Sequence, residues 1–266
     1  MELVTHSKDV LFAIQKIKVV GDRFLTNFYP DFKKINVWIE EKLLFKFEYS
    51  NSVFYIRKQD TFYYLLYFTS NLIELKRALD FILPQIPFTI VVEIITKKQK
   101  SEIMDVFLSN TFSLYATLVR LSMKTPSIIE NNYPQNIRNA ELNDLQFVMD
   151  RLNNDFDKYS ENIPILRELE ELIQNKFILV YEINNEIAGF IIGENTSQTQ
   201  HMRYWYVNQE FRDLKIGSKL FKGFLVMGKN TQRQILWCLI NNENALKRYE
   251  HYGYGQESLY DHILKK

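Results

Sequence analysis

Positively charged and small residues lie close together in the second half of the chain, where a predicted strand opens into a predicted helix. The strand covers residues 204–207. The first turn of a helix leaves backbone N–H groups without partners, and such a point attracts phosphate. Arg212, Lys215 and Lys219 add positive charge there, and Gly217 lets the backbone approach a ligand closely. These features indicate the binding of a cofactor that carries a pyrophosphate.

A second set of spaced residues follows after one further predicted strand. It has the spacing Asn-x-x-Ala-x-x-x-Tyr-x-x-x-Gly-aromatic, formed here by Asn242, Ala245, Tyr249, Gly253 and Tyr254. Either set alone would be a weak signal. Their order, with one strand between them, makes the combination more specific.

Together the two sets resemble the motifs of the GNAT superfamily of acyl-CoA N-acyltransferases, over about residues 135–266. The family's loop pattern is Arg/Gln-x-x-Gly-x-Gly/Ala, which corresponds here to Arg212 through Gly217. Lys215 replaces the first glycine of that pattern. If this position requires a positive φ, lysine costs roughly 1 kcal/mol or more there. The ammonium group would offset part of that cost by meeting a phosphate.

The resemblance implies an N-acetyltransferase that moves an acetyl group from acetyl-CoA to a primary amine by direct attack in a ternary complex. The implied role of Tyr249 is to protonate the departing thiolate, since a phenol holds its proton at pH 7. Backbone amides at the loop would hold the pyrophosphate, and strand main chain would pair with the pantetheine. The implied cofactor contacts are Tyr206, Val207, Arg212, Lys215, Ile216, Gly217, Ser218 and Asn242.

The attacking amine must be neutral, so a base or a chain of water molecules is needed. Glu182, Glu194 and His201 lie on nearby predicted strands. Each is better explained as a solvated residue at a strand end, so the sequence does not identify the base.

The identity of the acceptor is expected to depend on the early helices and variable loops of the second half. One such loop contains the acidic residues Asp155, Asp157 and Glu161. Their charge would suit a cationic amine, although a solvated surface loop explains them as well. The expected acceptor is therefore a small-molecule or peptide amine.

Composition limits the class of protein. The chain has 266 residues, about two ordinary domains, and a net charge of +1 that argues against coating nucleic acid or anionic membrane. The lone cysteine, Cys238, favours a reducing compartment, and a cytoplasmic location is expected. The histidines and Cys238 lack zinc-ligand spacing, so no metal is expected. A homodimer is compatible with the sequence.

The predicted elements occur in the same order in both halves: helices, three strands, helix, strand, helix, strand. We therefore predict an α/β (α+β) fold with two GNAT-like domains, each a mixed, mostly antiparallel sheet flanked by helices. The predicted domains are residues 1–125 and 135–266. Residues 68–71 stand where the second half has its loop, and they contain neither arginine nor glycine. The first domain is thus expected to be a degenerate copy or an accessory domain without a cofactor loop.

Three other functions stay open on the sequence. A doubled GNAT architecture resembles the Fem-like aminoacyl transferases, which use charged tRNA, although the near-neutral charge does not suggest a basic channel. A catalytically silent binding protein is favoured by Lys215 at a glycine position. Transfer of longer acyl groups is the third.

Overall fold

The computed structural model describes residues 1–20, 23–97 and 101–266, apart from the side chains of Arg212 and Asp213. These residues divide into two compact units. The first comprises residues 1–117 with 258–266, and the second comprises residues 118–257. Each is a mixed, mostly antiparallel sheet flanked by helices, which confirms the predicted fold class. Within the described ranges, no helix has the length and apolar character needed to cross a membrane.

The first unit contains six principal strands and four helices. In chain order its elements are β1 (Glu2–Leu3), α1 (Lys8–Val20), β2 (Leu25–Thr26), α2 (Phe32–Glu40), β3 (Leu44–Tyr49), β4 (Ser52–Lys58), β5 (Tyr63–Thr69), α3 (Leu72–Ile82), a 3-10 turn (Leu83–Gln85), β6 (Ile90–Thr96), α4 (Glu102–Ser109) and the first part of β7 (Ser113–Lys124). The end of the final strand, β13 (Gly255–Lys265), completes its sheet. The strand order is β1-β3-β4-β5-β6-β13, and β5 and β6 are the parallel pair.

Helices cover both faces of the first sheet. Strand β4 is buried from Ser52 to Arg57, because Phe54 and Ile56 face one apolar cluster while Val53 and Tyr55 face another. Helix α1 contributes to the second cluster and α3 to the first. Most of strand β5 is also buried. Successive strand residues point to opposite faces, so a strand between two helical layers reads as continuously apolar.

The second unit repeats this arrangement. Its elements are the second part of β7, β8 (Ile137–Asn139), a 3-10 turn (Leu142–Asp144), α5 (Leu145–Asp155), α6 (Leu166–Gln174), β9 (Ile178–Ile183), β10 (Glu186–Asn195), β11 (Thr199–Val207), a 3-10 helix (Gln209–Leu214), α7 (Ile216–Met227), β12 (Arg233–Leu239), α8 (Glu243–His251) and the first residues of β13. The strand order is β7-β12-β11-β10-β9-β8. Here β11 and β12 are the parallel pair.

Close packing holds α7 against the second sheet. A Cβ atom on Gly193 of β10 would lie 2.7 Å from the ring of Phe224, and one on Gly223 of α7 would lie 3.0 Å from Leu179. Glycine at these positions lets the helix approach the strands. Helices α5 and α6 cover the opposite face with Val148, Leu152 and Leu169, among other apolar residues.

Every long helix and strand predicted from the sequence is present. The predicted order of helices and strands is observed in both halves of the chain. The short strands β1, β2 and β8 were not predicted, because two or three residues carry no readable periodicity. The division into functional domains at residues 125 and 135 stays a prediction.

Candidate active site

Two parallel strands separate at the centre of the second unit. The register of β11 and β12 runs from Thr199 opposite Arg233 to Met202 opposite Leu236, yet β11 continues to Val207. A groove of about 830 Å³ begins where the strands part. Its walls are the ends of β11 and β12, the start of α7, helix α8, and the loop between α5 and α6.

One end of this groove meets the start of α7. The 3-10 helix that follows β11 ends at Lys215, whose φ of 57° and ψ of 23° are left-handed. Helix α7 begins at the next residue, and among the described side chains none caps its first turn. Because the first backbone N–H groups of a helix lack intrahelical acceptors, this end of the groove can receive an anion.

Four of the predicted cofactor residues surround that helix start. Lys215, Gly217 and Ser218 line the groove, and Ile216 is buried beneath it. The Ser218 hydroxyl accepts a hydrogen bond of 3.2 Å from Tyr252. A Cβ atom on Gly217 would lie 3.3 Å from the Trp205 ring, so the helix passes close to β11.

Two of the three predicted positive charges are not observed at the start of α7. The Lys219 ammonium donates a 2.8 Å hydrogen bond to the Tyr181 hydroxyl and does not line the groove. The side chain of Arg212 lies outside the described part of the structure. Among described side chains, the cation at the helix start is therefore Lys215.

The remaining predicted contacts also line the groove. Tyr206 and Val207 are the last residues of β11, and they lie opposite Phe190 and Gly189 of β10. The Tyr206 ring stacks on Phe190 at 5.2 Å between centroids. The side chain of Asn242 caps α8 by accepting a 3.1 Å hydrogen bond from the Ala245 N–H. This hydrogen bond stabilises the start of α8.

Tyr249 projects from α8 into the same groove. Its ring is half-buried beside Trp205 and Tyr254, at 6.1 Å between centroids in both cases. Burial, followed by the nearby Cys238 and Glu161, raises its pKa above the ordinary phenol value. Within the described residues, its hydroxyl has no hydrogen-bond partner. The group is therefore a protonated donor at neutral pH that is available to a ligand.

The sequence did not single out Glu161 from its acidic loop, and the structure places it in the groove. Burial raises the pKa of this carboxyl to about 7, with Arg203 opposing the shift and Asp157 adding to it. The three candidate bases from the sequence do not line the groove. Glu182 pairs with Arg138 at 2.8 Å, and Glu194 pairs with Arg203 at 3.2 Å. A glutamate in a loop carries no periodic signal, so only the fold reveals this position.

One protein-family model matches part of this chain. The model of the GNAT acetyltransferase domain, Acetyltransf_10, matches residues 143–259. This matched range is similar to the GNAT family and is called the GNAT domain below. The resemblance drawn from the two motifs is thereby confirmed. A comparison with curated proteins found no match.

Solved structures agree with a doubled fold. A tandem GNAT protein from the clavulanic acid biosynthesis pathway, solved without AcCoA, has a TM-score of 0.64 at 8% identity, covering 99% of this chain and 96% of that one. A GCN5-related N-acetyltransferase from Sphaerobacter thermophilus has a TM-score of 0.59 at 10% identity, covering 81% and 76%. A GNAT-family acetyltransferase from Colwellia psychrerythraea has 0.53 at 15% identity, covering 99% and 97%. At these identities the likeness concerns the fold alone.

The GNAT-like first unit differs from the GNAT domain at the corresponding strands. Its parallel strands pair at Tyr63–Ile90 and Tyr64–Val91, and beyond that point Asn27 bridges them. The Asn27 amide nitrogen donates to the carbonyls of Leu65 (2.9 Å) and Glu93 (3.2 Å). Its oxygen accepts from the Tyr67 N–H at 2.8 Å.

The start of α3, the helix after β5, is occupied by a capping side chain. Asn71 follows the strand almost directly, and its side chain accepts a 2.9 Å hydrogen bond from the Glu74 N–H. The start of α7 in the GNAT domain differs. A 3-10 helix and the left-handed Lys215 precede it, and no described side chain caps it. In the first unit, strand carbonyls and an N–H group in the first turn of the helix are therefore used in internal hydrogen bonds. In the GNAT domain the corresponding groups lie at the groove.

Replacing Lys215 with glycine is expected to raise the free energy of unfolding by about 1 kcal/mol, because a left-handed lysine is strained and glycine is not. Denaturant unfolding measures this change. We expect the same variant to bind acetyl-CoA several-fold more weakly, since it lacks the ammonium at the helix start. Lys215→Asn is the matched control, because asparagine tolerates the left-handed region but carries no charge. Loss of stability in both variants would contradict the strain argument.

Proposed function

We propose that this protein is an N-acetyltransferase that transfers an acetyl group from acetyl-CoA to a primary amine in a ternary complex. One observation carries the proposal: a single groove joins the start of α7 to the hydroxyl of Tyr249, and neither has a side-chain partner among the described residues. The first feature suits a pyrophosphate and the second suits a leaving thiolate. Acetyl-CoA would supply the activated acetyl group as a thioester.

The residues of the groove fit such a cosubstrate in three places. The backbone of Lys215, Gly217 and Ser218 would hold the pyrophosphate, with Arg212 and Ile216 adjoining them. The main chain of β11 at Tyr206 and Val207 would align the pantetheine arm. Tyr249 would give its proton to the leaving sulfur, and its raised pKa keeps that proton in place at neutral pH until the thiolate forms.

A binding titration tests this function directly. We expect calorimetry with the full chain to show binding of acetyl-CoA at one site per chain, since the first unit fills its own strand cleft with Asn27. Thermal unfolding should shift upward as acetyl-CoA exceeds its Kd. Two equivalent sites would contradict the assignment of the first unit as silent. No binding at millimolar acetyl-CoA would contradict the proposed function.

The tandem fold also supports a second candidate, an aminoacyl transferase that uses charged tRNA, because a doubled GNAT architecture is compatible with it. The two candidates differ in their donor. Binding of aminoacyl-tRNA, with no response to acetyl-CoA, would favour the second. We place the protein in the cytoplasm, on the basis of its single cysteine.

A further inference from the structure

The loop between α5 and α6 is held rigidly against β11. The Tyr204 hydroxyl lies 2.8 Å from the carbonyl oxygens of both Glu161 and Asn162 and donates to them. Asn162 adopts a left-handed φ of 47°. Earlier in the loop, the Asp157 carboxylate accepts a 2.9 Å hydrogen bond from the Ser160 N–H. The backbone that carries Glu161 is therefore fixed from both sides.

The side chain of Glu161 is half-buried and lines the groove. Among the described residues, it forms no hydrogen bond or ion pair. The guanidinium of Arg203, which is close enough to influence it, pairs with Glu194 at 3.2 Å. A buried carboxyl without a partner reduces stability. Such a group in a cleft, next to other titratable side chains, is a candidate functional residue.

Several elements surround this carboxyl with charged or titratable groups. They are Asp157 in its own loop, Arg203 and Tyr204 on β11, Cys238 on β12, and Tyr249 on α8. Burial, with a contribution from Glu161, raises the pKa of Cys238 to about 11, so this thiol remains protonated near neutral pH. Tyr249 is likewise protonated. Burial raises the pKa of the Glu161 carboxyl to about 7, so this groove residue titrates in the neutral range.

We propose that Glu161 is the residue that accepts the proton lost by the acceptor amine, and that this carboxylate also selects a cationic amine as the acceptor. This inference rests on the proposed acetyl transfer. A primary ammonium group entering the groove would supply the partner that the Glu161 carboxylate lacks. The two other groove acids, Asp155 and Asp157, extend the negative charge along the same wall.

In the proposed step, Glu161 accepts a proton and Tyr249 donates one. The ammonium gives one proton to the Glu161 carboxylate, and the nitrogen lone pair attacks the thioester carbonyl carbon. A C–N bond forms, the C–S bond breaks, and the electron pair of that bond leaves with sulfur. The thiolate takes the Tyr249 proton, and the second proton of the nitrogen returns through solvent to the phenolate. The products are an amide, free coenzyme A and a protonated Glu161, which then loses its proton to water.

The test compares Glu161→Gln with the wild-type protein across a pH series, using acetyl-CoA and a panel of diamines and lysine peptides. In the wild type, kcat/KM for the amine should rise as the pH passes through about 7, because Glu161 must lose its proton before it can accept another. In Glu161→Gln this limb should disappear and kcat/KM should fall about 100-fold. The Kd for acetyl-CoA should not change, since the proposed pyrophosphate contacts lie at α7.

Stability provides a second readout. A carboxyl whose pKa is raised by folding contributes stability below its unfolded pKa, and this stability is lost as the pH rises through about 7. Glu161→Gln should therefore unfold at the same or a higher temperature than the wild type at pH 8. A residue with a merely structural role would instead lower the unfolding temperature when replaced.

Two further variants complete the experiment. Glu161→Asp keeps an ionisable group and should retain the pH limb with reduced kcat/KM. Glu182→Gln is the matched control, because this glutamate pairs with Arg138 away from the groove, and its pH profile should equal that of the wild type. An unchanged pH limb in Glu161→Gln, with acetyl-CoA bound normally, would overturn the role of Glu161 and leave the proposed function standing. Absence of acetyl-CoA binding in the wild type would overturn both.

Discussion

Replacing Tyr249 with phenylalanine is expected to lower kcat by about 100-fold or more, the usual contribution of a positioned general acid. The change removes one hydroxyl, and that hydroxyl has no partner among the described residues. The fold should therefore keep its stability, and the Kd for acetyl-CoA should stay within about two-fold of the wild type. Thiol release under saturating acetyl-CoA and amine measures kcat, and calorimetry measures the Kd.

Tyr254→Phe is the matched control for this variant. Its ring lies beside Tyr249, but its buried hydroxyl donates a 3.1 Å hydrogen bond to Gln234 and does not line the groove. Removing it leaves a buried acceptor unsatisfied, which costs on the order of 1 kcal/mol of stability, while turnover should be preserved. If Tyr249→Phe kept its turnover and Tyr254→Phe lost it, Tyr249 would have no part in the reaction.

Replacing Gly217 with aspartate is expected to weaken acetyl-CoA binding by at least about 100-fold. A carboxylate in the first turn of α7 would stand where the pyrophosphate is proposed to bind, and like charges about 4 Å apart repel by several kcal/mol near a protein surface. The same carboxylate interacts favourably with the helix dipole, so the fold should not lose stability through charge. Calorimetry gives the affinity, and thermal unfolding without ligand gives the stability.

Gly217→Asn separates charge from size in this experiment. Both side chains bring a Cβ atom to about 3.3 Å from the Trp205 ring and require the same small displacement. The asparagine variant should therefore show the steric cost alone, with a much smaller loss of affinity. Equal affinities for Gly217→Asp and Gly217→Asn would place the diphosphate elsewhere.

Local sequence signals predicted much of the GNAT domain. The apolar segment 216–227, which begins beside Gly217, is observed as helix α7. The spacing of two motifs was enough to name the family. The positive φ considered for Lys215 is present, since that backbone position must turn from the 3-10 helix into α7.

Features that depend on tertiary placement could not be predicted in this way. Glu161 is read from the sequence as one acid of a polar loop, and only the hydrogen bonds from Tyr204 direct it toward the groove. Asn27 lies far in sequence from Leu65 and Glu93, which it bridges, so no local pattern reveals its position. Lys219 was expected near the phosphate on charge alone, and its contact with Tyr181 depends on how α7 packs on β9.

Each sheet is completed by a strand that comes from the other half of the sequence, and this arrangement has a genetic consequence. Strand β12 of the GNAT domain pairs along its length with β7, from Leu239 opposite Leu118 to Arg233 opposite Lys124. Codons for that edge partner lie in the first half of the gene, and codons for residues 260–265, which pair with β6, lie in the second half. A deletion of either half would expose a long unpaired edge on the survivor, which invites aggregation. Selection for the proposed acetyl transfer would thus also preserve the first half of the gene, because each sheet is completed by a strand that the other half encodes.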